Sequence, residues 1–179
     1  MIDDIHDNIA AAEERIAYNS FETAILFDRN FNEVFRAVGD TRVRFTKEQR
    51  AAMPGNILTH NHPYRKTKIG EVLESSFSIE DARLSFDQEL HILRMVYGAK
   101  VHSLMWNESA TVHELEKLCI LIGNLNDKVM ARMRLARETS VEAMHQEWQN
   151  GTKEINDQVH KYAGMMRYTY YLRRRRDVG

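Results

Sequence analysis

The pentapeptide Thr59-His60-Asn61-His62-Pro63, followed at residues 78–81 by Ser-Ile-Glu-Asp, constrains this chain more than any other part of it. Side chains alternate along an extended backbone, so histidines two positions apart point the same way. A short strand, Asn56 to Thr59, delivers the pair to a turn closed by Pro63, and Ser78 opens the next helix three residues before Asp81. Two imidazoles and the aspartate can make a three-ligand set with a fourth tetrahedral position left for water. That open position separates a catalytic zinc site from a closed structural one. The same residues also have ordinary roles: an isolated His-x-His arises by chance, Ser78 is an N-cap, and Asp81 is a favourable first-turn charge. Both readings coexist here.

Zinc takes neutral imidazole and ionised carboxylate, the normal states of these groups at pH 7. It lowers the pKa of a bound water toward about 7. Hydrolysis of a carbonyl compound then needs a general base and an oxyanion donor. A carboxylate on a neighbouring strand would supply the first, and Ser78 the second.

With 179 residues, 43% of them apolar and 28% charged, the chain is long enough for one domain with a core plus a helical appendage, and it reads as globular. A net charge of −1 gives no global attraction to nucleic acid or membrane. The single cysteine, Cys119, excludes an intramolecular disulfide and a cysteine-rich zinc site, and its apolar setting marks a buried structural thiol. No apolar run reaches the roughly 18–20 residues needed to span a bilayer, and the acidic start Met1-Ile2-Asp3-Asp4 is unlike a signal peptide, so the expected address is the cytoplasm.

Ile5, Ile9, Ala12 and Ile16 predict a helix over residues 3–17 with Asp3 or Asp4 as N-cap. Phe21 to Asp28 and Phe31 to Val38 read as a hairpin, and residues 46–53 as a short helix capped by Thr46. A helix is expected over 79–96, then a strand from Val101 to Trp106 with His102 facing outward. Residues 1–108 thus read as an α/β domain. From 109 to 179 the pattern is helical: Leu115, Leu118, Ile122, Leu125, Val129 and Met133 form one stripe, and Ile155, Val159, Tyr162 and Met166 another. Thr111 with Glu114 and Thr139 with Glu142 fit capping boxes, and Gly151 is read as a break, with a break near Thr139 as the alternative. Two antiparallel helices ending in a basic tail are expected, suited to self-association or to docking a partner protein.

Residues 21 to about 106 resemble the JAB/MPN (JAMM) metalloprotease superfamily, above all its RadC-like branch, through the pattern glutamate, His-x-His-Pro, Ser-x-x-Asp. The resemblance implies a cytidine-deaminase-like fold with a mixed sheet and zinc-dependent cleavage of amide or isopeptide bonds, often beside ubiquitin-like proteins. It makes His60, His62 and Asp81 the zinc ligands, Ser78 the oxyanion donor and Glu22 the general base, with Glu33 in reserve. Ile25 stands where the family carries a glycine, and the loop before Ser78 is long and basic, with Arg65, Lys66 and Lys68. The wording is also similar to JAB-like domains of phage head-associated proteins and toxins.

The run Arg173 to Arg176, preceded by Tyr168, Tyr170 and Tyr171, reads as a solvated helix end or as a phosphate-binding patch. Arg132, Arg134 and Arg137 are expected to solvate the surface. No P-loop, dinucleotide motif, GxSxG, HExxH or deaminase signature is present. Two function classes follow: a JAMM-type zinc hydrolase, or a non-catalytic JAB-like scaffold whose basic end touches nucleic acid.

Overall fold

The fold is seen in a computed structural model that describes residues 6–64, 77–163 and 168–174. Helix α1 (Asp7–Ile16) leads into strands β1 (Glu22–Phe27) and β2 (Glu33–Gly39), then α2 (Lys47–Ala51) and β3 (Ile57–Asn61). Next come α3 (Ile79–Asp87), β4 (Ile92–Tyr97), β5 (Lys100–Trp106), α4 (Val112–Thr139), α5 (Val141–Ala163) and β6 (Tyr168–Arg174). The strands form one mixed sheet in the order β2-β1-β3-β4-β5-β6, with only β3 and β4 parallel. The chain is therefore α/β with a pair of long helices, and the helix at α1 is capped by His6; Asp3 and Asp4 lie outside the described residues.

Each sheet face buries a separate cluster. Ile25, Phe27 and Ile57 pack under Ile9, Ala12 and Ile16 of α1. Ala24, Leu26, Leu58, Leu93, Met95 and Leu104 point the other way and share a core with Leu115, Leu118, Cys119 and Ile122 of α4. The boundary expected at residue 108 thus falls inside a continuous core, because the apolar stripe of α4 is the cover of the sheet.

Three expected elements differ. The helix over 79–96 stops at Asp87: Glu89 takes a left-handed φ of 49°, and the carbonyl of Glu89 and the amide of His91 bind Gly55 and Asn56 at 2.8 and 2.9 Å. Leu93 and Val96 belong to a parallel strand buried on both faces, whose unbroken apolar run mimics a helical core segment. Gly151 lies inside α5 and does not break it; the break is Ser140, whose hydroxyl accepts from the amide of Ala143 at 3.0 Å. Tyr168 to Arg174 is an edge strand paired with β5, not a helix end, because β5 would otherwise present an open edge; Arg175 and Arg176 lie outside the described residues. Arg132 also departs from expectation, bridging Glu147 at 3.1 Å and Glu154 at 2.7 Å on α5.

A buried ion pair fastens α1 to the sheet. Arg94 on β4 meets Glu13 through Nε at 2.5 Å and Nη2 at 3.0 Å, and its Nη1 donates to Ser103 at 2.6 Å. Thr59 adds a hydroxyl bond to Glu13 at 3.0 Å. Glu13→Ala leaves Arg94 buried and uncompensated, so urea unfolding should show a loss of about 3–5 kcal/mol.

At Gly151 a Cβ would sit 2.4 Å from Cγ1 of Val129, so the two long helices touch backbone to side chain there. Gly151→Val should cost about 1–3 kcal/mol by overpacking. Adding Val129→Ala should recover part of that loss in the same denaturation measurement, the signature of a shared contact.

Candidate metal centre

The end of β3 and the start of α3 build the centre. β3 carries His60 on the face that holds Ala24 and Met95, its register neighbours, and His62 follows just beyond the strand. The His62 amide still donates to the Val96 carbonyl at 3.3 Å, so the second imidazole keeps the strand's direction. Ser78 and Asp81 form a reciprocal capping box: the amide of Asp81 donates to Ser78 Oγ at 3.0 Å, and the amide of Ser78 donates to Asp81 Oδ2 at 2.8 Å. The Ser78 hydroxyl donates to the same Oδ2 at 2.9 Å. This fixes the carboxylate with Oδ1 turned toward His60.

The three side chains converge. His60 Nε2 lies 3.1 Å from Asp81 Oδ1, and His62 Nε2 lies 3.3 Å from Asp81 Oδ2. One donor atom from each residue falls within 4.8 Å of the others, and His60 and Asp81 are buried. Zinc–ligand bonds of about 2.0–2.1 Å would put the donors of a tetrahedral site about 3.3 Å apart. Despite its closeness to Asp81, His60 Nε2 makes no aligned hydrogen bond among the described residues. A buried two-histidine, one-carboxylate cluster of this kind can hold a metal ion.

Without an ion, charge balances within the cluster. Burial works to raise the Asp81 carboxyl, but His60 and His62 overcome it and hold it well below the usual range. Burial works to lower His60, and Asp81, with a smaller contribution from Glu22, outweighs it and raises the imidazole above its ordinary value. Glu22, at the start of β1, is pushed up chiefly by burial, against the pull of His60, a hydrogen bond from the Val43 backbone and His62.

Glu22, His62, Ser78 and Asp81 line one cleft of about 1030 Å³. Met133 of α4, Trp148 of α5, Arg42 and Arg44 line the same cleft. The helical pair therefore contributes to the lining of the cleft. Glu33 is elsewhere: it sits at the opposite end of the hairpin, on the surface, paired with Arg36 at 2.9 Å. Arg65, Lys66 and Lys68 lie outside the described residues.

His102 does not face outward. It is fully buried on the same sheet face as His60, edge-on to the ring of Phe77, and burial together with His62 and Lys100 lowers its pKa to about 3. It is a neutral imidazole beneath the cluster. The alternation of β5 was legible, but which face was inward depended on α3 and α4 covering it. Asn61, between the two histidines of the cluster, was likewise not singled out, although it makes the bonds that join β3 to the start of β1.

The directions of these shifts fix a pH dependence. The depressed Asp81 adds stability above its ordinary 3.8 that is lost as pH falls through its folded value. The raised His60 adds stability below its ordinary 6.5 that is lost as pH rises through its folded value. The metal-free cluster is thus most stabilising between pH 3.8 and 6.5. A metal ion held by this cluster would have to displace the His60 proton, so the apparent affinity for added zinc should fall about tenfold per pH unit below the folded His60 pKa. Melting with and without zinc at pH 5.5 and 7.5 should show the larger gain at the higher pH. No known family's model matches this chain, and no curated protein or solved structure matches it.

Proposed function

We propose that this chain is a zinc-dependent hydrolase of the JAB/MPN type that cleaves an amide or isopeptide bond, on a cytidine-deaminase-like variant of the α/β fold. The observation that carries the reading is the placement of a desolvated carboxyl, Glu22, in the same cleft as His62 and Asp81, which converge with the buried His60. His60, His62 and Asp81 would hold the ion. Zinc there supplies Lewis acidity to the scissile carbonyl and to a water molecule.

The chain's own groups do the rest. Glu22 takes the proton of the attacking water and returns it to the leaving amine, and a carboxyl whose pKa is raised by burial suits both halves of that shuttle. Ser78 orients Asp81 through the two bonds to Oδ2. To stabilise the oxyanion as well, its hydroxyl would have to turn from Asp81 to the substrate. Water adds across the C–N bond, giving a carboxylate and an amine.

Trp148 and Met133 in the cleft wall support a protein substrate, because a peptide segment would lie between the sheet domain and the helical pair. A ubiquitin-like or phage-related protein is the proposed substrate class, met in the cytoplasm. Ile120 and Leu135, both exposed on α4, support a role for the helices in self-association or in docking a partner protein. No helix among the described residues is long and apolar enough to cross a membrane.

Elemental mass spectrometry of the purified chain should find about one zinc per chain, lost in His60→Ala/His62→Ala. Glu22→Gln should keep the zinc and lower hydrolysis in an amide and isopeptide substrate screen by about 10²–10⁴-fold. A chain that takes up no zinc even when it is supplied overturns the hydrolase reading and leaves the non-catalytic scaffold.

A further inference from the structure

We propose that Asn61 is a positioning residue that fixes Glu22 against the two histidines by replacing the β1–β3 backbone ladder where it stops. The inference rests on the reading of Glu22 as the general base. The ladder runs from Phe27 opposite Ile57 to Ala24 opposite His60 and ends there. Glu22 lies two residues beyond it, where β1 is still paired with β2 but no longer with β3.

The fully buried Asn61 side chain takes hold of both sides of Glu22. Its Oδ1 accepts from the amide of Thr23 at 2.8 Å, and its Nδ2 donates to the carbonyl of Phe21 at 2.9 Å. The same Nδ2 reaches the carbonyls of His62 at 3.2 Å and Asn19 at 3.4 Å. The two peptide groups flanking Glu22 are thus tied to the residue that separates the two histidines. Strand alternation sends the Asn61 side chain to the sheet face opposite His60, so it acts through the backbone and not on reacting atoms.

The bond pattern requires an amide. One planar group must offer an acceptor to Thr23 and donors to Phe21 at the same time. Aspartate lacks the donors, and serine or threonine lacks the span. The carboxyl end of Glu22 lies near the Val43 backbone amide, which acts to lower its pKa; Gly39, the register partner of Glu22, runs against Arg42 and Val43. Gly39 permits that approach, since a Cβ there would lie 1.9 Å from the Arg42 carbonyl oxygen. The backbone on both sides of Glu22 is therefore set by Asn61, and the Val43 amide near its carboxyl reports where that side chain sits.

The test reads the Val43 amide proton by NMR in the ¹⁵N-labelled full chain, with zinc content measured alongside. In Asn61→Ala, the Val43 resonance should move most of the way to its position in Glu22→Ala, while zinc stays near one per chain. Hydrolysis of any substrate found for the wild type should fall about 100-fold, the cost of roughly 1 Å of misplacement. A Val43 resonance that stays at the wild-type position while the melting temperature falls would show a merely structural asparagine and overturn the proposal. Loss of zinc in Asn61→Ala would also overturn it, since the residue would then be holding the histidines.

Asn61→Asp, which keeps the acceptor for Thr23 and loses the donor for Phe21, should give an intermediate Val43 shift; an unmoved one overturns the proposal. Should neither variant fold, amide exchange in the unmodified chain decides: Thr23 should be protected like the interior of β1, and exchange at a frayed-end rate overturns the inference. If the wild type binds no zinc, the hydrolase reading fails while the Val43 readout still tests the tie between Asn61 and Glu22.

Discussion

A buried carboxylate has to be answered on every side, and in this molecule that carboxylate is Asp81. One oxygen takes the amide and hydroxyl of Ser78 and lies beside His62, and the other faces His60. Closing the helix N-terminus and gathering the imidazoles are thus a single act. The start of α3 cannot shift without unpairing the histidines, and His60 cannot shift without leaving β3. Strand, helix and cluster are positioned by one another at the carboxyl end of a parallel strand, where α/β sheets open crevices.

The opposite face of the sheet secures this arrangement from behind. Glu13, Arg94, Thr59 and Ser103 link α1, β3, β4 and β5 in one buried polar network. Thr59 and Asn61 point to that side, while His60 points to the cluster, so alternate residues of one short strand serve two purposes. Thr59 anchors the strand to α1, Asn61 anchors the start of β1, and the histidine between them is held in place by its neighbours.

What the sequence disclosed was local. The His-x-His turn, the Ser78–Asp81 box, the Thr46 and Thr111 caps and the first hairpin are set by a few adjacent residues, and all were legible. What escaped depends on distant partners. Ile92 to Tyr97 is a strand because the backbone of Asn56 and Gly55 recruits the segment leading into it, and a doubly buried strand has no alternation to betray it. Gly151 looks like a helix breaker until Val129 is seen against it. Glu22 and Glu33 are equivalent as strand-end acids, and only the register of the hairpin separates them, one facing the cleft and one in solvent with Arg36. Arg132 resembles a solvated charge until α5 brings Glu147 and Glu154 beside it.

The return of the chain as β6 changes what the helical pair is. Two helices leave the sheet after β5 and come back as its next strand, so they form a long excursion between adjacent strands. A piece ending before α4 would lose the cover of one sheet face and bare the hydrogen-bonding edge of β5 together, two invitations to aggregation. The smallest part of this molecule able to display the cluster in its own surroundings therefore includes both helices and the strand that follows them.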